Sequence, residues 1–254
     1  MTSMWEDRRL LPRLLATILV AWLSLAAVAQ QKQDGAEQLG MALEYFQGGK
    51  YHESLLIFQR LDKKYKLNPR FRAYIGLCYY YEWNYKKSVE YFDKVLPLLG
   101  GLAPHELSVY YYAAGESYFQ MQQYAKALPY YEKDLTVCYN QEKGDVCYRI
   151  GLCHMFAGEW QKAYDSYSAA ETYYTEYRDT KPLEARLAQI ENMKNGCMNG
   201  ISKNIDKERS RMLNGSDTTI KDNDADGKGF SPWESITLSP FILEDNHDAQ
   251  EKQK

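Results

Sequence analysis

The sequence predicts an all-α solenoid, built from four helical hairpins packed one behind the next and closed by a C-terminal capping helix. Three observations carry this. A register of small and aromatic residues recurs four times; turn-forming residues fall at the same point of each recurrence; and the stretch behind the last recurrence is amphipathic with a polar back. Composition agrees, with 45% apolar and 26% charged residues in 254, ordinary proportions for a globular chain. The net charge of −3 leaves no basic excess to neutralise phosphates, which argues against nucleic acid as a partner. Tyrosine is unusually common, at 23 residues, and its ring with a polar tip suits half-buried packing.

The register begins at a small residue and continues three, nine, twelve and sixteen positions on. It reads Ala42, Tyr45, Tyr51, Ser54, Phe58, then Gly76, Tyr79, Tyr85, Ser88, Phe92. It returns as Gly115, Tyr118, Tyr124, Ala127, Tyr131 and as Gly151, His154, Trp160, Ala163, Tyr167. A small residue in mid-helix lets a partner helix approach closely, and an aromatic one turn later fills the space beside it. The second small residue and the aromatic four further on lie on one face of the following helix. Gly48-Gly49, Asn84, Gln122-Gln123 and Gly158 supply the turns inside the hairpins. Asn68-Pro69 and Lys143-Gly144 are expected to separate one hairpin from the next, with Pro69 suited to a first helical turn.

This pattern resembles the tetratricopeptide repeat family, whose hairpins recur every 34 residues. The small residues here are spaced by 34, 39 and 36, the longer intervals falling where Leu99–His105 and Asn140–Gly144 extend the linkers. The resemblance covers roughly residues 35–178 and divides them into hairpins at about 35–66, 69–98, 104–139 and 144–178. It also implies a concave groove lined by the first helix of each hairpin. Its binding residues here would be Leu43, Phe46, Arg70, Leu77, Tyr80, Tyr81, Tyr112, Glu116, Phe119, Tyr148, Leu152 and Phe156. For Tyr80 and Phe119, packing between hairpins is an equally good reading. Family members that clamp a terminal carboxylate use Lys, Arg and Asn, and apart from Arg70 this groove has none of them.

A stack of hairpins leaves its last face uncovered and needs a polar-backed cap. Leu183, Leu187, Ile190 and Met193 share one face of a stretch that Pro182 opens, so a capping helix is expected over 181–212. From 213 to 254 small and polar residues dominate, and disorder is the expectation. Within that tail Asp222, Asp224, Asp226 and Gly227 match the first half of a calcium loop. The second half fails, because Trp233 stands where the bidentate acid belongs, so this is only a weak calcium candidate.

At the other end, Arg8, Arg9 and Arg13 precede an uncharged run from Leu14 to Ala29 that closes on Ala27-Val28-Ala29. That is the grammar of a secretory signal peptide over 1–29, with an uncleaved anchor as the alternative. An exported, periplasmic or secreted location follows as an expectation. The five cysteines then meet an oxidising compartment, and Cys138 with Cys147 are the candidate disulfide, bracketing a linker. No cofactor, metal or catalytic motif is evident, the four histidines being scattered. The expectation is a non-enzymatic scaffold of the cell envelope or periplasm that holds a protein, peptide or partner subunit in the groove. The alternatives are a carbohydrate-binding module, since Tyr and Trp faces also stack on sugars, and calcium-dependent binding through the tail.

Overall fold

The computed structural model describes residues 33–214, and all of the secondary structure among them is helical. Helix α1 occupies 33–47 and is followed by α2 (Tyr51–Tyr65), α3 (Pro69–Tyr81) and α4 (Tyr85–Val95). A short 3-10 turn (Leu96–Leu98) leads to α5 (Pro104–Gln120), α6 (Tyr124–Val137), α7 (Asn140–Phe156) and α8 (Trp160–Tyr177). A second 3-10 turn (Lys181–Leu183) opens α9 (Glu184–Asn214). Residues up to Arg209 form one compact unit in which consecutive helices pack as pairs, α1 with α2 through α7 with α8. From Ser210 the chain belongs to a second unit, of which only the end of α9 is described.

The four turns inside the hairpins share one geometry. Gly49, Trp83, Gln122 and Gly158 each stand seven residues after the small residue of the register and each has a left-handed φ, between 58° and 73°. In every turn two backbone hydrogen bonds close the first helix. Gly49 N–H donates to Phe46 O and Lys50 N–H to Tyr45 O, and the same pair recurs at Trp83/Asn84, Gln122/Gln123 and Gly158/Glu159, at 2.8–3.1 Å. This is the Schellman closure, which satisfies carbonyls that a helix end would otherwise leave without partners. Asn84 then caps α4 by accepting from Lys87 N–H, as Asn68 caps α3 by accepting from Arg70 N–H.

The recurring small residues are the close-contact points. A Cβ built on Gly76 would stand 2.9 Å from the Phe92 ring, on Gly115 2.8 Å from Tyr131, and on Gly151 2.6 Å from Tyr167. Each ring is in direct contact with a glycine of its own hairpin. Where the second small residue is serine, its hydroxyl reaches across the same contact: Ser54 Oγ donates to Ala42 O at 2.8 Å and Ser88 Oγ to Gly76 O at 3.0 Å. The cap repeats the device, with Gly200 of α9 against the Trp160 indole.

The abundance of tyrosine also has a packing reason. Tyr110, Tyr131, Tyr167 and Tyr174 are among the largest fully buried side chains. Tyr110 donates to Glu106, Tyr131 to Glu116 and Tyr174 to Asp145, so each of these rings stays dry while its hydroxyl finds a carboxylate. Asp93 accepts from Tyr118 of α5 and Tyr130 of α6, at 2.6 and 2.7 Å, tying the second hairpin to the third.

Two expectations are corrected here. Lys143 and Gly144 are not a linker: α7 starts at Asn140, and Gly144 is buried inside it against Tyr174. Glu142 makes this start possible by accepting from Tyr139 N–H at 3.0 Å. The same shift removes the expected bridge. Cys147 lies two turns inside α7, about 10 Å along the axis from its start, while Cys138 precedes that start. That span exceeds what a disulfide can close, and both are free, buried thiols. Burial pushes the Cys138 thiol up to about 12 and that of Cys147 up to about 11, far from the reactive range. The signal peptide, the tail and the calcium candidate Asp222, Asp224 and Asp226 lie outside the described residues.

Candidate partner-binding face

The inner face is built by α1, α3, α5 and α7. Counting from the small residue of each hairpin, the first position holds Leu43, Leu77, Glu116 and Leu152, and the fourth Phe46, Tyr80, Phe119 and Met155. From the second hairpin onward these positions are buried, because neighbouring first helices close over them. Tyr80 is 8% exposed, Phe119 2% and Leu152 1%, so these rings and Leu152 belong to the core. Tyr148 is buried as well, under the Arg186 guanidinium of α9 at 4.4 Å from its ring centroid. Among the predicted groove residues, Leu43, Phe46, Tyr81 and Tyr112 remain half-buried, and Arg70 and Phe156 are exposed.

The fifth position explains what stays accessible. Tyr51, at the start of α2, stacks on Tyr81 of the next hairpin at 4.1 Å between centroids and 10° between planes. Tyr124 stacks in the same way on Phe156, at 4.3 Å and 12°. The aromatics that open α2 and α6 therefore bridge to the following hairpin at the edge of the inner face. Between the second and third hairpins the fifth position is Gln120, which offers no ring, and Tyr85 turns to Tyr80 instead. Phe46 meets Tyr51, Tyr74 and Tyr81 edge-on. Of the stacked rings Phe156 is exposed at 41%, and Tyr51 and Tyr81 are half-buried.

Beneath the middle of this face runs a buried ion pair that the sequence did not announce. Arg149 Nε lies 2.7 Å from Glu116 Oε1 and Arg149 Nη2 2.8 Å from Glu116 Oε2, a two-pronged contact between α5 and α7. Tyr131 donates to the same carboxylate, and the guanidinium rests over the Phe119 ring at 5.0 Å. Burial alone would lower the Arg149 pKa, but Glu116 and the hydroxyls of Tyr112 and Tyr131 outweigh it, so the guanidinium stays charged. Arg149 stands two residues before Gly151, where the other hairpins carry Gly40, Tyr74 and Ala113; a charge in that uncharged series was the available signal. Glu116, expected as a groove acid, is only 1% exposed and committed to Arg149.

The other polar groups of this face are also occupied. Arg70 makes a two-pronged pair with Glu106, at 2.6 and 3.0 Å. Asp145 accepts from Tyr174 at 2.6 Å and from Arg178 at 2.5 Å. Among the described residues no three of His, Cys, Asp and Glu converge to hold a metal, and no helix is long and apolar enough to cross a membrane. The face offers aromatic surface, phenol hydroxyls and paired charges.

No protein-family model matches the sequence, and no curated protein matches it. Solved structures do. MamA from Desulfovibrio magneticus RS-1 superposes with a TM-score of 0.51 at 19% identity, over 70% of this chain and 96% of that one. A second MamA structure, AMB-1, gives 0.54 at 14% identity, over 73% and 94%. At such identities the likeness speaks for architecture alone. The hairpin pairing, the shared turns and these superpositions together make the fold a tetratricopeptide-type α-solenoid with a C-terminal capping helix.

Proposed function

We propose that this chain is a non-catalytic scaffold that holds an extended segment of a protein partner along its inner face. The observation that carries the reading is what hairpin stacking leaves over. Packing consumes Leu77, Tyr80, Phe119, Tyr148 and Leu152, while Phe156 stays exposed and Phe46, Tyr81 and Tyr112 stay half-buried, one on each of four successive first helices. Stiff aromatic anchors lose little conformational freedom on binding and commonly dominate interface energetics. With Arg70, Glu116 and Asp145 already paired, specificity comes from shape and from phenol hydroxyls, which suits apolar side chains of a peptide spaced along a groove. The basic and apolar residues before Gln30 support an exported, periplasmic or secreted location, with residues 1–29 removed as a signal peptide.

Site-specific photo-crosslinking in the native host tests this. A benzophenone side chain at Phe156 should trap one dominant protein, whereas the same probe at Lys126, on a second helix, should trap none in comparable yield. Equal crosslinking from both positions, or from Lys126 alone, would move the partner to the outer face. N-terminal sequencing of the mature chain should begin at Gln30; a chain still starting at Met1 would retain the segment as an anchor.

A further inference from the structure

The turn between α3 and α4 carries a residue that the fold does not ask for. All four turns require a left-handed residue, and glycine meets that need at Gly49 and Gly158. At the equivalent position in the second hairpin stands Trp83, with φ of 58°. A bulky residue in that region is a genuine outlier. The indole gains nothing from packing either. It is 70% exposed, and among the described residues it makes no ring contact with another aromatic. A side chain that strains the backbone and stays in solvent is a feature from which function can be argued.

Trp83 borders a shallow hollow of about 680 Å³ between the turn of the first hairpin and that of the second. The stacked pair Tyr51 and Tyr81 forms one wall. On the rim, His52 Nδ1 lies 3.0 Å from Glu82 Oε1, and Lys50 stands beside them. The His52 side chain is 66% exposed, so its second ring nitrogen is open to a ligand. The hollow thus combines an exposed indole with two carboxylates (Glu53 and Glu82), an imidazole and an ammonium, so its rim carries both signs. A charged ligand would meet its own sign on the rim. A neutral ring bearing hydroxyls on its edge and C–H groups on its face meets both requirements.

We infer that Trp83, His52 and Glu82 form a binding site for a neutral pyranose of an oligosaccharide, the sugar stacking on the indole while Glu82 and His52 take its hydroxyls. The hollow shares Tyr81 with the inner face proposed to hold a protein segment, but Trp83, His52 and Glu82 stand outside that face, so variants at those three and at Phe156 test the two readings separately.

The test titrates the full chain with cellotetraose, chitotetraose, maltotetraose and galactotetraose at millimolar concentrations, read by saturation-transfer NMR and calorimetry. At least one should bind. Trp83→Gly should weaken that sugar tenfold or more while melting no lower than the wild type, since glycine fits the turn. Glu82→Gln should weaken it severalfold, and Phe156→Ser should leave it unchanged. No binding by any of the four sugars, or binding that Trp83→Gly leaves intact, overturns the inference. So does a loss of protein partner with Trp83→Gly in the absence of sugar binding, which would make the indole a protein contact.

Discussion

Glu116 and Arg149 show how a single charge decides the middle of the stack. Neither could survive burial alone, because an ionised group without its partner loses its hydration and gains nothing. Arg149→Ala should therefore lower stability by roughly 3–5 kcal/mol in urea unfolding. Replacing both, Glu116→Leu with Arg149→Met, should recover much of that loss; equal damage in the double variant would mean the pair contributes little beyond shape. Asp134 is the second residue under electrostatic tension. It is 1% exposed, accepts from Ser108 at 2.6 Å through one oxygen, and has no hydrogen-bond partner on the other. Burial first, with repulsion from Glu142 and against the Ser108 hydrogen bond, pushes its pKa up to about 7. In the unfolded chain it would titrate near its ordinary value of about 4, so between about pH 4 and 7 the native state holds the extra proton. Stability from this residue is thus complete below about pH 4 and lost as pH rises to 7, by up to about 4 kcal/mol. The difference in unfolding free energy between wild type and Asp134→Asn should change by a sizeable part of that amount from pH 5 to pH 8. A constant difference would refute the raised pKa. Neither residue was legible beforehand, because a charge at a core-phase position does not reveal which partner will neutralise it.

At the scale of the helix pair, most of the architecture was readable. The small residue and the aromatic sixteen positions later are in direct contact in the second, third and fourth hairpins, as their recurrence suggested. The contact predicts a graded response. Leucine at Gly76 or Gly151 would drive a side chain into a ring already against the backbone, and overpacking of this kind costs at least 1–3 kcal/mol. Gly151, whose built Cβ stands 2.6 Å from Tyr167, should be the more sensitive of the two, against 2.9 Å at Gly76. Thermal melts by circular dichroism would show this as a lower midpoint for both variants, and unchanged midpoints would mean the contact is looser than described. What was not readable at this scale was where helices begin. Asn140–Gly144 looked like a linker because Asn, Lys and Gly favour turns, but Glu142 satisfies the Tyr139 N–H and Gly144 is needed small against Tyr174. The glycine signal was real; its cause was packing and not a turn. The expected Cys138–Cys147 bridge fell with the same misreading. The left-handed position in each turn was likewise hidden, since only Gly49 and Gly158 mark it with glycine while Trp83 and Gln122 occupy it without.

Across the whole stack, the inner face was legible in location but not in depth. The register put Leu77, Tyr80, Phe119 and Leu152 on the correct helices, yet sequence spacing cannot say how closely the next hairpin will press. Here each hairpin presses hard enough to bury them, and the accessible residue is the ring at the edge, Phe156 above all at 41% exposure. This separates two roles that a single list of groove residues had merged. Leu77, Tyr80, Phe119, Tyr148 and Leu152 hold the stack together, and large-to-small changes there should cost 2–5 kcal/mol without informing on binding. Exposed Phe156 and half-buried Phe46, Tyr81 and Tyr112 are the residues proposed to meet a partner. The most direct measurement of that division records melting temperature and partner affinity together on full-length Phe156→Ser, using the protein that crosslinks at this position. The predicted result is a melt within a few degrees of wild type and at least a tenfold loss of affinity. A melt that collapses, or an affinity that stays at the wild-type level, would contradict the assignment of the inner face as the binding surface.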